Sequence, residues 1–577
     1  MSSASGEGYW QTRAQRLNRR RLLAGGAAAG AGLALAACGG STPKKNSAST
    51  ASKSASSGAA SNGTAAAVAA ATGTPRAGGT WKQATITQAP HFSPYHPGAD
   101  PSFVNSWRRD YGYYERLWSF DRTAEEIKNN TYHRVDRLAA STEQVDPMTV
   151  VVKLKPSNFH NKAPASGRAV TASDVVADIE FLKHPPATGG AFIQSGKDLK
   201  AATAVDDQTV RFDMFGPRST FFEEVNAALV VVPKEMLDEQ TLKTQPPVGN
   251  GPFVFKSSQQ GSREQADANP DYYQKGRPYI QSKTLTFVPD SATTEAAFRA
   301  NQIDDTPEAF TDIKQAQSVA QDLGSKIQTM TFPSVSGMAL MVNIHRPPFN
   351  DPREREAMYR GVNVQRAIDT VFFGDASRTW YFSDAQFNRF PLGWDAVKQY
   401  VDYDPQKAAQ LLKAAGVDPN HAYDFMVPVE AQTWVDSGKL FAEDLAKVGL
   451  KLNLSPVVRN IYLQKAGPKP GAFDVTMSVL LDYIYAQTHS GTFWDSSSLE
   501  DPDIDAIVTK IRETVDDAQR KQLSQQFEIM LAQKYSNLMP MLTTNVHIGW
   551  YSYMKGINFD IPSRWQLYQP DRWIDKA

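Results

Sequence analysis

The sequence predicts a mixed α/β protein built from more than one lobe, on three observations. Segments with strand character alternate with segments of helical period from residue 78 to the C-terminus, and no fixed-period repeat organises them. The chain has 577 residues, more than one hydrophobic core spans, so several domains or subdomains are expected. Cysteine occurs once, which excludes an internal disulfide and a cysteine-based zinc site and leaves the core alone to hold the fold.

Charge narrows the function classes. The chain has 61 basic and 61 acidic residues; with the five arginines and one glutamate of residues 1–38 set aside, 56 face 60. Such a body lacks the basic field that nucleic acid requires.

The single cysteine ends the stretch "NRRRLLAGGAAAGAGLALAACGG" (18–40). Its apolar run, 22–37, is short and mostly Ala and Gly, whereas a membrane-crossing helix needs about 20 strongly apolar residues. A basic region, a short apolar stretch and small residues at the cut describe a signal peptide instead. Arg19 and Arg20, followed by Leu22 and Leu23, resemble a twin-arginine export signal; paired arginines also occur in Sec signals, so the route stays open. Leu35-Ala36-Ala37-Cys38 resembles the bacterial lipobox, in which the cysteine receives a diacylglycerol and becomes the mature N-terminus. Residues 39–76 hold Ala, Ser, Thr, Gly and a few Lys, too little apolar surface to offset ordering entropy, and are expected to form a tether.

The body opens with "GGTWKQATITQ" (78–88), a Gly-Gly turn and an alternating strand. "YYERLWSFD" (113–121) has helical period, and "TVVVKLKPSNFHN" (149–161) alternates as a half-wet strand does. "VTASDVVADIEFL" (170–182) carries a Thr/Ser cap, Asp174 in the first turn, and Val175, Ile179 and Leu182 on one face. "DDQTVRFDM" (206–214) reads as a hairpin strand, and "PPVGNGPFVFKS" (246–258) as a turn and a strand. In 285–305 a strand, a Pro-Asp turn and a capped helix end at Asp304-Asp305, which reads as a solvated terminus, as does Asp516-Asp517. An apolar strand begins at Gly337 and two helices follow it. "YDPQKAAQLLKAAGVD" (403–418) is a helix closed by Gly416. "FDVTMSVLLDY" (473–483) is apolar throughout, as in a strand buried on both faces. Residues 501–537 read as helical, and strands near 548–550 close the chain.

Five of these blocks, in order, resemble the family 5 extracellular solute-binding proteins of ABC importers, the group with oligopeptide-, dipeptide- and nickel-binding receptors. They are "GRAVTASDVVADIEFL", "VGNGPFVF", the run from "NPDYYQKGRPYI" to "AAFRANQID", "MVNIHRPPFNDPREREAMYRGVNVQRAI" and "YDPQKAAQLLKAAG". The resemblance spans nearly all of 78–575. It implies a class II periplasmic-binding-protein fold, two hinged lobes and an additional domain. Lobe I would combine 77–90, 245–334 and 541–577; the additional domain would be 91–244 and lobe II 335–540.

The resemblance also implies site residues. In the peptide-binding branch an Asp after the strand corresponding to 473–483 accepts the ligand's α-ammonium, and Asp482 is the matching residue. The match is imperfect: the family's Trp before that Asp is absent, and Ile484-Tyr485-Ala486 stands in place of Pro-Asp-Pro. Tyr483, Tyr485 and Trp494 form an aromatic group beside it. The loop "SRTWYFSDAQFNRFPLGWD" (377–395) occupies the place of the family's cleft loop. Its Trp380, Phe390 and Trp394 are candidates for stacking on a ligand, and Arg378 for a carboxylate; packing under the loop is the alternative for each.

Catalytic signatures are missing: no His-Glu-x-x-His, Gly-x-Ser-x-Gly or Cys-x-x-Cys occurs, and "GAFIQSGKD" (190–198) fails the phosphate-loop spacing. The expectation is therefore a monomeric, lipid-anchored extracytoplasmic receptor, not an enzyme. It would carry no cofactor, metal site or nucleic-acid partner, and would deliver a peptide to ABC permease transmembrane subunits. An oligosaccharide ligand, or a sensory receptor uncoupled from import, are the alternatives. Replacing Cys38 with Ala is expected to move the protein from the membrane to the soluble fraction, because stable anchoring takes more than one acyl chain and the cysteine is the only attachment point; persistent membrane retention of that variant would refute the anchor.

Overall fold

The structure, a computed structural model, describes residues 74–86, 88, 91–95, 109–122, 133–184, 198–306, 310–382, 390–429, 432–466, 471–480, 499–557, 559–560 and 570–576. Three larger sheets organise them. The first runs in the order Thr80–Thr85, Ser282–Phe287, Arg263–Ala268, Phe253–Gln259, with the first pair parallel and the rest antiparallel. The second is antiparallel, in the order Ala139–Asp146, Thr149–Leu154, Thr209–Met214, Leu199–Asp206. The third has six strands, in the order Ala376–Ser377, Leu538–Tyr551, Ile327–Val342, Val475–Leu480, Ala422–Pro428, Lys451–Val457.

Their cores divide the molecule. Val150, Val152, Val210 and Phe212 of the second sheet share one apolar cluster with Trp81, Phe253 and Leu285 of the first. The helix Ala172–Leu182 seals that cluster through Val175, Ile179 and Leu182, the residues that helical spacing puts on one face. Its start is fixed by Asp174, which accepts Thr171 N–H at 2.9 Å and both terminal nitrogens of Arg168 at 2.9 and 2.6 Å. The third sheet and its helices bury a separate core containing Leu340, Tyr359, Phe425, Val475 and Ile507. Here Val475–Leu480 lies between two partner strands, as its apolar run predicts. The helix Pro405–Ala415 stops where Gly416 takes φ +74°.

Three expectations change. Residues 113–121 do not form a helix: the short π-helical turn Arg109–Tyr113 ends there, and the strand Trp118–Arg122 follows, paired with His133–Asp136. Leu117, Trp118, Ser119 and Phe120 are all buried, so the aromatic spacing reflects burial on every side and not a helix face. Asp304 and Asp305 are buried. Asp305 accepts from Trp81 Nε1 (3.2 Å), Gln83 Nε2 (3.0 Å) and Arg572 Nη1 (3.0 Å), tying together three distant pieces of chain. The strand expected from Gly337 begins ten residues earlier, and the closing strands form one element, Leu538–Tyr551. The stretch 501–537 is helical as expected, in two helices, Pro502–Glu513 and Asp517–Gln533.

The glycines of "VGNGPFVF" have a packing reason. A Cβ on Gly249 would stand 2.2 Å from the Tyr113 carbonyl oxygen, and one on Gly251 2.4 Å from that of Gly112. His160, in the other quoted block "SNFHN", clamps this loop. Its Nδ1 accepts from Gly249 N at 3.3 Å and its Nε2 donates to Gly251 O at 3.0 Å. Both bonds suit the neutral imidazole. Burial pushes this group down from 6.5 to about 4, against the Gly251 carbonyl that favours the proton. The unfolded chain therefore binds the proton first as pH falls, and stability is lost between about 6.5 and 4. The contribution of this one group is about 2–3 kcal/mol between pH 7 and pH 4.5. Urea unfolding at the two pH values should show that loss, and His160→Gln should remove most of it; an unchanged pH dependence in the variant would contradict the assignment.

Candidate ligand cleft and its hinge

Two strands of the third sheet continue past its core. Ile327–Val342 and Leu538–Tyr551 run antiparallel along almost their whole length. At one end, Ile327, Met330, Val546, Ile548 and Trp550 pack in the clusters around the first sheet. At the other, Met338 to Val342 and Leu538 to Leu542 pack in the core of the third. The pair thus crosses from one body to the other. Midway, the register jumps from Pro333↔Asn545 to Gly337↔Thr543, so residues 334–336 of one strand oppose only Thr544 of the other. Such a bulge interrupts the ladder and lets the ribbon bend and twist there.

Other strands end at this level. Gly337 pairs with Thr543 on one side and Leu480 on the other, and Thr543 pairs with Ser377. Ser377, Thr543, Gly337 and Leu480 form one row across the sheet. Gly337 keeps the row tight, since a Cβ there would lie 3.0 Å from Leu480 Cδ1 and 3.2 Å from the Leu542 carbonyl oxygen. The strand that leads to Asp482, Tyr483, Tyr485 and Trp494 therefore ends beside the bulge; those four residues lie outside the described residues, as do Arg19, Arg20 and Cys38.

The loop after Ser377 is described at both ends. The Arg378 guanidinium lies 3.9 Å from the Trp394 ring centroid, and burial pushes it down to about 9, with Asp402 opposing. Trp380 is fully buried; its indole donates to the Glu528 carbonyl at 3.0 Å, and its ring meets Tyr381, Tyr359 and Trp394. Phe390, with φ +53°, sits under the Arg520 guanidinium at 5.4 Å. Leu392 N–H donates to the buried Glu528 carboxylate at 2.9 Å. These contacts fasten the loop to the helix Asp517–Gln533. In this conformation Trp380 has no face open to a solute, so packing, the alternative reading, accounts for it.

A polar knot that sequence reasoning missed lies on the other side of the bulge. Asp375 accepts from Asn545 Nδ2 at 2.9 Å and pairs with His547 Nε2 at 2.5 Å, while Thr331 Oγ1 lies 2.8 Å from His547 Nδ1. It joins a turn of the third sheet's body to the half of the ribbon that packs in the other. Its bonded pairs are 170 to 216 positions apart in sequence, and no local pattern marks them.

Two α/β bodies joined by a ribbon that a bulge interrupts, with a further antiparallel sheet on one of them, define a hinged, two-lobed protein. Comparison with known proteins carries the identification further. The model of the bacterial extracellular solute-binding proteins, family 5 (middle), matches residues 133–501, and the chain belongs to that family. It is 23% identical over 509 residues to the oligopeptide-binding protein AppA of Bacillus subtilis (strain 168), covering 80% of this chain and 89% of that one. It is 24% identical over 393 residues to the dipeptide-binding protein of Escherichia coli (strain K12), covering 62% and 71%. The structure of Bacillus subtilis AppA with a nonapeptide superposes with a TM-score of 0.74 at 20% identity, over 87% of this chain and 100% of that one. AgaA from A. tumefaciens R10 with agropinic acid gives 0.72 at 20% identity, over 86% and 99%.

Asp375→Ala should cost about 2 kcal/mol, because it strips a buried histidine and Asn545 of their shared acceptor. The measurement is the urea midpoint, and an unmoved midpoint would show that the knot contributes nothing.

Proposed function

We propose that this protein is the lipid-anchored receptor of an ABC importer and captures peptides between its lobes. Family membership supports the importer role. The observation that carries the peptide reading is the row Ser377–Thr543–Gly337–Leu480, because it brings the strand preceding Asp482 to the bulge, where the two bodies meet. Asp482 then offers a carboxylate to the α-ammonium of a peptide, a charge-assisted contact strengthened when closure excludes water. Tyr483, Tyr485 and Trp494 follow it and flank the side chains. Arg378, Trp380, Phe390 and Trp394 are engaged instead with the helix Asp517–Gln533 and with one another. That division favours peptides over oligosaccharides, since a sugar site wants free aromatic faces and the described aromatics of the loop are engaged with Arg378, Arg520 and one another. Residues 77–90, 245–334 and 541–577 act as one lobe, 335–540 as the other, and 91–244 as the additional domain. The tether 39–76 holds this body near its permease.

Mass spectrometry of solute co-purifying with the protein should identify peptides. For a peptide so identified, Asp482→Asn should weaken binding by about 10- to 150-fold, the equivalent of one charge-assisted bond of about 1.5–3 kcal/mol. Recovery of sugars instead, or an unchanged affinity in the variant, would overturn the peptide assignment.

A further inference from the structure

Away from the crossover ribbon, the two bodies meet at a second place. The segment Gly216-Pro217-Arg218-Ser219 follows the second sheet and leads into the helix Phe221–Ala228, whose Phe221 and Val225 belong to the first core. The helix Pro502–Glu513 belongs to the other core through Ile504, Ile507, Val508 and Ile511. Ser219 N–H donates to the Arg512 carbonyl at 2.9 Å. Ser219 Oγ–H reaches the same carbonyl at 3.1 Å and that of Ile511 at 3.3 Å. A Cβ built on Gly216 would lie 3.9 Å from Glu513 Oε1, so the segment lies close along the end of that helix.

The chemistry of this contact is complementary. The last carbonyls of a helix have no partner within it and carry the negative end of its dipole. Across from them stands the start of the helix Phe221–Ala228, the positive end of a second dipole. Arg218 is held there by Glu224 Oε2 (2.8 Å) and Oε1 (2.7 Å) and by Asp198 Oδ1 (2.9 Å), which fixes the backbone that presents Ser219. The donors come from one body and the acceptors from the other, and no residue of the bulge takes part.

We propose that Ser219 and the C-terminal carbonyls of the helix Pro502–Glu513 form a latch that holds the lobes together. The proposal rests on the reading of this protein as a receptor that opens and closes about the bulge. The latch makes and breaks as the ribbon flexes at the bulge. It acts without a solute, so it sets the balance between the open and closed empty receptor and slows release once a solute is enclosed. Because its acceptors are backbone carbonyls, side-chain changes on the second helix leave them in place, and Ser219 is the position through which the latch is tuned.

The test uses the full chain with Cys38→Ser, so that thiols introduced by Gly216→Cys and Glu513→Cys are the only ones. A short bifunctional thiol reagent then reports how often the two sites approach, with no solute present. Cross-linking should be fast with Ser219, about 2- to 10-fold slower with Ser219→Ala, as for loss of one net hydrogen bond, and slower again with Ser219→Pro, which also removes the backbone donor. Equal rates in Ser219 and Ser219→Ala would overturn the latch, and that comparison stands even where the proline variant does not fold. A separate arm measures melting of the unaltered chain with a degenerate nonapeptide mixture. Absence of a shift there counts against peptide capture, whereas the cross-linking rates judge the latch alone.

Discussion

The antiparallel pairing of Ile327–Val342 with Leu538–Tyr551 is the interaction on which everything else depends. Each of these strands is long enough to lie in two cores, and each core is completed only by residues the ribbon brings to it. Ile548 and Trp550 pack with the aromatic cluster of the first body, while Leu340 and Leu542 pack with the second. Backbone hydrogen bonds hold the ribbon on both sides of the bulge, so any relative motion concentrates at 334–336, where the ladder is interrupted. A two-strand connection permits bending and resists sliding, because a slip of one residue would turn every buried side chain to the opposite face of both cores.

Local chemistry was legible in the sequence wherever the deciding contact lies near in the chain. The cap at Thr171, the stop at Gly416 and the doubly buried strand ending at Leu480 all follow from neighbours within a few positions. The ribbon was not legible at full length. A strand that belongs to two cores is buried on both faces and its period dissolves; Leu538–Tyr551 is buried at twelve of its fourteen positions. Asp304-Asp305 misled for a related reason. Two acids after a helix look solvated until the fold brings Trp81, Gln83 and Arg572 to Asp305, and Tyr553, 2.6 Å away, to Asp304. For the candidate site, the sequence pointed to the strand whose end meets the bulge. It gave no sign of Asp375 and His547, because distant polar residues acquire their role only from the ribbon's register.

The buried polar groups divide by how well they are met. Asp174 and Asp305 each collect several donors, which returns much of what desolvation removes. Glu354 does not. It lies in the first turn of the helix Pro352–Gly361, fully buried, and neither carboxyl oxygen has a hydrogen-bond partner among the described residues. Burial pushes its carboxyl well above the ordinary glutamate range, and Arg355 opposes that only in part. A raised carboxyl binds its proton more tightly folded than unfolded, so its contribution is complete below about pH 4.5 and declines as pH rises through the folded value. His160 acts in the opposite sense, since its stabilising state is the neutral one. The two groups sit in different cores, Glu354 against the third sheet and His160 against the glycine loop. Acid therefore acts on these two groups in opposite directions: it removes what neutral His160 contributes to the glycine loop and favours the protonated Glu354.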